Sequence, residues 1–147
     1  MNIDPLNWQI LKCLQRNARM SNVEIGKIIG LSSPAVSERI KKMEDIGIIQ
    51  GYHAVVSPAE AGYQLKAIIT LRAFMGMLKP FLEKVKIYNE VINCYRITGN
   101  ENIVMEVVLK NQKHLEDFID QLIVYGETKT QIVLSHVVDY NDITPLK

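Results

Sequence analysis

The chain has 147 residues, 48% of them apolar and 22% charged, with a net charge of +1. That length suits one domain or two small ones, and no apolar run approaches the ~20 residues of a membrane helix. Cys13 and Cys94 lie far apart among apolar neighbours and read as reduced, buried thiols in a cytoplasmic protein, with no secretory signal expected in Met-Asn-Ile-Asp-Pro.

Asp4-Pro5 reads as a helix start, Asp4 as N-cap and Pro5 in the first turn. Ile10, Leu11, Leu14 and Ala18 then recur at helical spacing, and Arg16-Asn17 suits the end. Ser21 and Glu24 form a capping box for a second helix with Ile25, Ile28 and Ile29 as its apolar face. Gly30 stops it, because glycine tolerates the left-handed conformation of a C-cap. A third helix opens at Ser32 as N-cap, with Pro34 in its first turn. Val36, Ile40 and Met43 face inward at i, i+4 and i+7. Ser33, Ser37, Glu38, Lys41 and Lys42 then point outward, and Gly47 ends the helix. Residues 48–56 read as a strand.

Two capped helices joined by a tight glycine turn, with a helix before them, also fit a plain helical packing module, but are first of all the arrangement of a helix-turn-helix. Its second helix is expected to enter the DNA major groove N-terminal end first. Lys41 and Lys42 suit phosphates, which position without reading sequence, whereas serine discriminates bases poorly. Charge agrees in sign: residues 1–56 carry +2 and residues 57–147 carry −1.

Residues 57–62 break the periodicity and read as a linker, extending to 65. Residues 66–74 form a strand, 80–88 a helix, 91–98 a second strand and 103–109 a third, the last two joined by Gly99-Asn100-Glu101-Asn102. Leu115, Phe118, Ile119, Leu122 and Ile123 mark another helix, and residues 130–138 a fourth strand. The order β-α-β-β-α-β predicts a ferredoxin-like sandwich, a four-stranded antiparallel sheet with two helices on one face. The strands are apolar almost throughout, so the bare face is expected to pack on a second copy by two-fold symmetry. The fold class is thus α+β. Residues 1–56 are expected to be a helix-turn-helix DNA-binding domain with a strand at its end, and residues 66–147 an oligomerisation domain.

No Ser-His-Asp, HExxH, CxxC or phosphate-cradling pattern occurs. His53, His114 and His136 lack metal-ligand spacing, so no metal, cofactor or catalytic residue is expected.

The ordered combination of Leu31-Ser32, Val36, Arg39, Met43-Glu44, Gly47-Ile48-Ile49 and Tyr52 resembles the Lrp/AsnC, or feast/famine, family of prokaryotic transcription regulators. "YRITGNENI" at 95–103 looks like that family's "TG..D" turn, and "GETKTQIVL" at 126–134 like the stretch before its last strand. The resemblance implies a winged helix-turn-helix over residues 1–56 and an effector-sensing domain over residues 66–147, in a cytoplasmic regulator that binds double-stranded DNA as dimers assembling into octamers, with a small effector, commonly an amino acid, held between dimers. The DNA-binding set is then Ser32, Ser33, Pro34, Ser37, Glu38, Arg39, Lys41 and Lys42, with Arg39 supporting the recognition helix or touching phosphate. The effector set is Gly99, Asn100 and Asn102 of one subunit and Thr128, Thr130 and Ser135 of another. Asn7 and Asn102 stand where the family usually carries aspartate. A neutral amide at 102 offers an ammonium group less than a carboxylate would. Two rival functions are a sequence-tolerant DNA-packaging protein and a haem-pathway enzyme of the same fold.

Overall fold

The computed structural model describes residues 3–146. The chain divides into two compact units, one of residues 1–55 and 138–147 and the other of residues 56–137. By contacts, residues 138–146, assigned from sequence to the second domain, cluster with the first unit.

In the first unit, α1 spans Pro5–Arg16, α2 Asn22–Ile29 and α3 Ser33–Asp45. Each begins where a side chain accepts a backbone N–H left unpaired by the first turn. Asp4 accepts from Asn7 N, Ser21 from Glu24 N and Ser32 from Ala35 N. The capping box at Ser21 is complete, with Ser21 N donating to Glu24 Oε2 at 2.8 Å. Gly30, at φ 75°, turns the chain out of α2. Ile10, Leu11, Ile25, Val36 and Met43 are buried together, with Ile40 packed at their edge. The apolar face of α2 differs from the expected one. Ile28 is 62% exposed, and buried Gly26 takes the inward place. The reason is steric: a Cβ on Gly26 would sit 2.4 Å from the Leu31 carbonyl oxygen.

Residues 48–56 form no strand. Ile48 N and Ile49 N both donate to the Met43 carbonyl, at 2.8 and 3.1 Å, and both side chains pack on the first core. Tyr52 Oη donates to Glu44 Oε1 at 2.8 Å. A strand needs a neighbouring ladder, and the described residues of this unit supply none beside this segment.

The second unit opens with one helical turn over the expected linker, Tyr63 N donating to Pro58 O at 2.8 Å. Its elements are β1 (Leu65–Ala73), α4 (Leu78–Lys84) continued by a 3₁₀ turn Val85–Ile87, β2 (Val91–Arg96), β3 (Ile103–Leu109), α5 (Gln112–Leu122) and β4 (Gly126–Ile132). The sheet is antiparallel with order β2-β3-β1-β4, the ferredoxin-like sandwich. Alternate residues Ala67, Ile69 and Leu71 of β1 and Ile103, Met105 and Val107 of β3 are fully buried with Phe81 and Phe118. Two edge-on ring pairs, Phe81–Tyr125 at 5.6 Å and Tyr88–Phe118 at 5.3 Å, knit this layer.

Two details depart from the sequence reading. The last strand runs over 126–132, so "GETKTQI" is the strand itself and residues 133–138 lie beyond it. Gly126 starts it because a Cβ there would meet Arg72 O of the neighbouring strand at 2.3 Å. The open face of the sheet is also not uniformly apolar. Ile68, Tyr95 and Val104 are flanked by the ion pair of Lys66 with Glu106, by Asn93 Nδ2 donating to Glu106 at 2.8 Å, and by Arg72–Glu127. Hydrophobic runs count both faces, whereas the pleat sends alternate residues to opposite sides. Cys13 and Cys94 are free and half-buried.

Candidate DNA-reading helix and effector site

A helix advances about 100° per residue. With Val36 turned into the core, Pro34, Glu38, Lys41 and Asp45 lie on the opposite side of α3, flanked by Ser37 and Lys42. All six are exposed, as is Ser32. Ser33, expected to point outward, is half-buried. The outer face carries both signs of charge, so long-range attraction to a polyanion is weak here.

Arg39 has a different place. Its Nη1 donates to Asp4 Oδ2 at 2.7 Å and to Asn7 Oδ1 at 2.9 Å. It ties α3 to the first turn of α1. Asn7 keeps the acceptor that an aspartate would offer. Asp4 meanwhile accepts from Asn7 N at 2.8 Å. That bond, then the one from Arg39, holds its carboxyl below the usual 3.8.

In the second unit, Gly99 turns the β2–β3 hairpin at φ 120°, a conformation closed to most side chains. Asn102 is built into the sheet. Its Oδ1 accepts from Ala73 N at 2.8 Å, its N–H donates to Leu71 O and its carbonyl accepts from Ile97 N. The acceptor an ammonium group would use is thus shared with β1. Asn100 and Thr128 line one cavity of about 160 Å³ with Thr70, Arg72, Glu101, Glu127 and Lys129. Arg72 Nη2 meets Glu127 Oε2 at 2.6 Å, and Lys129 Nζ meets Glu101 Oε1 at 2.7 Å. Lys129 holds the Glu101 carboxyl below its ordinary range. Two cations and two carboxylates around one small cavity suit a polar ligand that carries both charges.

Thr130 pairs with Ile69 farther along β4, and Ser135 lies past its end. Neither lines that cavity. Glu101 lies within the turn 99–102 expected from sequence, whereas Arg72, Glu127 and Lys129 were not anticipated. Their signal was strand alternation: Arg72 and Glu127 pair across β1 and β4, and the same parity brings Lys129 to that face.

A family model described as "Winged helix-turn-helix DNA-binding" matches residues 3–50, and one described as "Lrp/AsnC ligand binding domain" matches residues 66–143. The chain belongs to the Lrp/AsnC family. It is 38% identical over 133 residues to the HTH-type transcriptional regulator YezC of Bacillus subtilis, covering 90% of this chain and 94% of that one. It is 32% identical over 137 residues to LrpB of the same organism, covering 93% and 92%. Among solved structures, Bacillus subtilis LrpC superposes with a TM-score of 0.91 at 26% identity over 95% of this chain and 100% of that one. Escherichia coli AsnC superposes with a TM-score of 0.87 at 29% identity over 99% and 100%. As an Lrp/AsnC protein the chain is a DNA-binding transcriptional regulator with a ligand-binding domain, and its family and relatives are regulators rather than enzymes. Among the described residues, no helix is long and apolar enough to cross a membrane, and no cluster of His, Cys, Asp and Glu could hold a metal ion.

Proposed function

We propose that this regulator reads double-stranded DNA through the exposed side of α3. Pro34, Ser37, Glu38 and Lys41 face the groove. Ser32, Ser33 and Lys42 sit at its margins, and Arg39 holds the helix in place. The supporting observation is the division of labour on α3: Val36 and Met43 are buried, Arg39 grips α1, and Ser37 and Lys41 stand exposed with no structural task. Ser37→Glu and Lys41→Glu are expected to weaken DNA binding with the melting temperature unchanged. If a dimer neutralises ~6 phosphates, affinity falls ~10³-fold between 50 and 200 mM salt. Gel shifts across a salt series measure both. Unchanged affinity in both variants would overturn this assignment.

The second domain takes a small effector at the cavity under the β2–β3 hairpin. Gly99 shapes it, Asn100 and Thr128 line it, and Asn102 fixes the hairpin to β1. Thr130 and Ser135 act only if the site extends along β4 into a neighbouring subunit. Arg72 and Lys129 suit a carboxylate, Glu101 and Glu127 an ammonium group, so a free amino acid is the class of ligand. A thermal-shift screen of the common amino acids tests this: one or more raises the melting temperature, and Arg72→Ala abolishes the rise.

The protein works in the cytoplasm as a dimer joined through the open sheet face, with dimers assembling further, to octamers. The strip of Ile68, Tyr95 and Val104 supplies the apolar centre. Lys66–Glu106 supplies a polar border. Sedimentation is expected to show a dimer or larger species, dissociated by Tyr95→Glu.

A further inference from the structure

The C-terminal segment rejoins the first unit at one small set of contacts. Ile143 N donates to Gln15 Oε1 at 2.7 Å, and Gln15 Nε2 donates to the Ile143 carbonyl at 3.1 Å. The next pair runs in reverse order: Arg16 Nε donates to Asp142 Oδ2 at 3.4 Å. A side-chain amide that both gives to and takes from one backbone residue acts as a strand neighbour would. It reads main chain, not a side chain. The Arg16–Asp142 pair beside it fixes the register. Beneath lies a mostly apolar cavity of about 370 Å³, lined by Trp8, Leu11, Leu14, Ile48, Ile49 and Ile143 among others.

The attachment is weak by its nature. Ile143 is 75% exposed, and the hydrogen bonds and the ion pair lie at the surface. Exposed pairs of this kind contribute little, and ordering a tail of this length opposes them. A contact so near balance opens easily. Its position gives it leverage, however. It grips the last turn of α1, whose first turn holds Arg39 of α3 through Asp4 and Asn7. Only residues 133–137 separate it from β4, which carries Thr128 and Thr130. The chain therefore connects the two units twice, once after Val55 and once before Val138.

We propose that residues 138–146 are a detachable latch. Seated on Gln15 and Arg16 of the same chain, the latch braces α1 and α3 in the DNA-binding arrangement, and its release loosens that unit and weakens DNA binding.

Trp8 is the protein's single tryptophan and shares the cavity with Ile143, so its fluorescence reports the seat. Truncation after Val137 is expected to red-shift Trp8 emission and to weaken DNA binding severalfold. Gln15→Ala, a surface change that leaves the core intact, is expected to do both in smaller measure. A synthetic peptide of residues 138–146, added in excess to the truncated protein, returns the emission toward that of the full chain. In the full chain the emission is independent of protein concentration, because the tail is its own.

Charge alone predicts the opposite sign for DNA. The removed segment holds Asp139, Asp142 and Lys147, a net −1, so its loss as mere charge would tighten binding to a polyanion. Tighter DNA binding by the truncated protein overturns the latch. So does unchanged Trp8 emission in both variants, and so does an emission that shifts on dilution of the full chain.

Discussion

Arg39 on α3 donates to Asp4 at 2.7 Å while Asp4 caps α1, so one carboxylate both starts one helix and anchors another. Asn7, one turn along α1, completes the clamp at 2.9 Å. Arg39→Ala is expected to lower the melting temperature of the first unit and to weaken DNA binding at every salt concentration tested, with the salt slope unchanged. A phosphate contact behaves otherwise: its loss reduces the slope by ~0.9. A reduced slope in Arg39→Ala would place the guanidinium on DNA and remove the clamp argument.

Acid should loosen the same unit. Asp4 is held below its ordinary 3.8 by the Asn7 N–H and then by Arg39, and Glu24 below 4.5 by the Ser21 hydroxyl and backbone. Both carboxylates bind protons less readily folded than unfolded. Their contributions are therefore present above the ordinary values and lost as pH falls through the lower, folded ones. Melting of the first unit, followed at Trp8, is expected to fall as pH drops below the ordinary 4.5 and 3.8 of these two groups. Asp4→Asn is expected to flatten that drop, and an identical acid profile in that variant would count against it.

Gly26→Ala sets two effects against each other. Alanine in a helix interior is worth about 1 kcal/mol over glycine. The new Cβ, however, would lie 2.4 Å from Leu31 O, a backbone atom held by the turn between α2 and α3. Overpacking of that kind costs about 1–3 kcal/mol, so net destabilisation is expected. Denaturant titration of the two proteins checks the sign, and a stabilised variant would show that the turn gives way freely.

Val36→Asp places a charge at a fully buried position among Ile10, Ile25 and Met43. The cost is about 4 kcal/mol or more, against roughly 3–10 kcal/mol for a unit of this size. The first unit is expected to lose its cooperative transition while the second, with a separate core, keeps its own. Calorimetry distinguishes this from a single joint transition, which would mean that the units unfold as one.

Much of this architecture was legible from local chemistry. The N-caps at Asp4, Ser21 and Ser32, and the glycine stops at 30 and 47, are short-range devices. A capping side chain meets a backbone N–H only two or three residues away, so spacing in the chain already specifies the partner. The β-α-β-β-α-β order followed from hydrophobic periodicity for the same reason. So did the inward direction of Val36 and Met43.

Contacts between distant residues were not legible, because nothing local encodes which side chain will face which. Gly26 displaced Ile28 from the apolar face because the Leu31 carbonyl comes close. Residues 48–56, β-like in composition, stayed unpaired because a strand depends on a neighbour, and the described residues set none beside it. The apolar run along each strand overstated the bareness of the open sheet face, since Lys66–Glu106 and Arg72–Glu127 meet only across strands. The engagement of Asn102 by Ala73, and the return of residues 138–146 to α1, span 29 and more than a hundred positions respectively. The sequence by itself determined where elements begin, end and turn their apolar sides. Tertiary structure alone decided which polar groups find each other, because that depends on how separate elements come together in three dimensions.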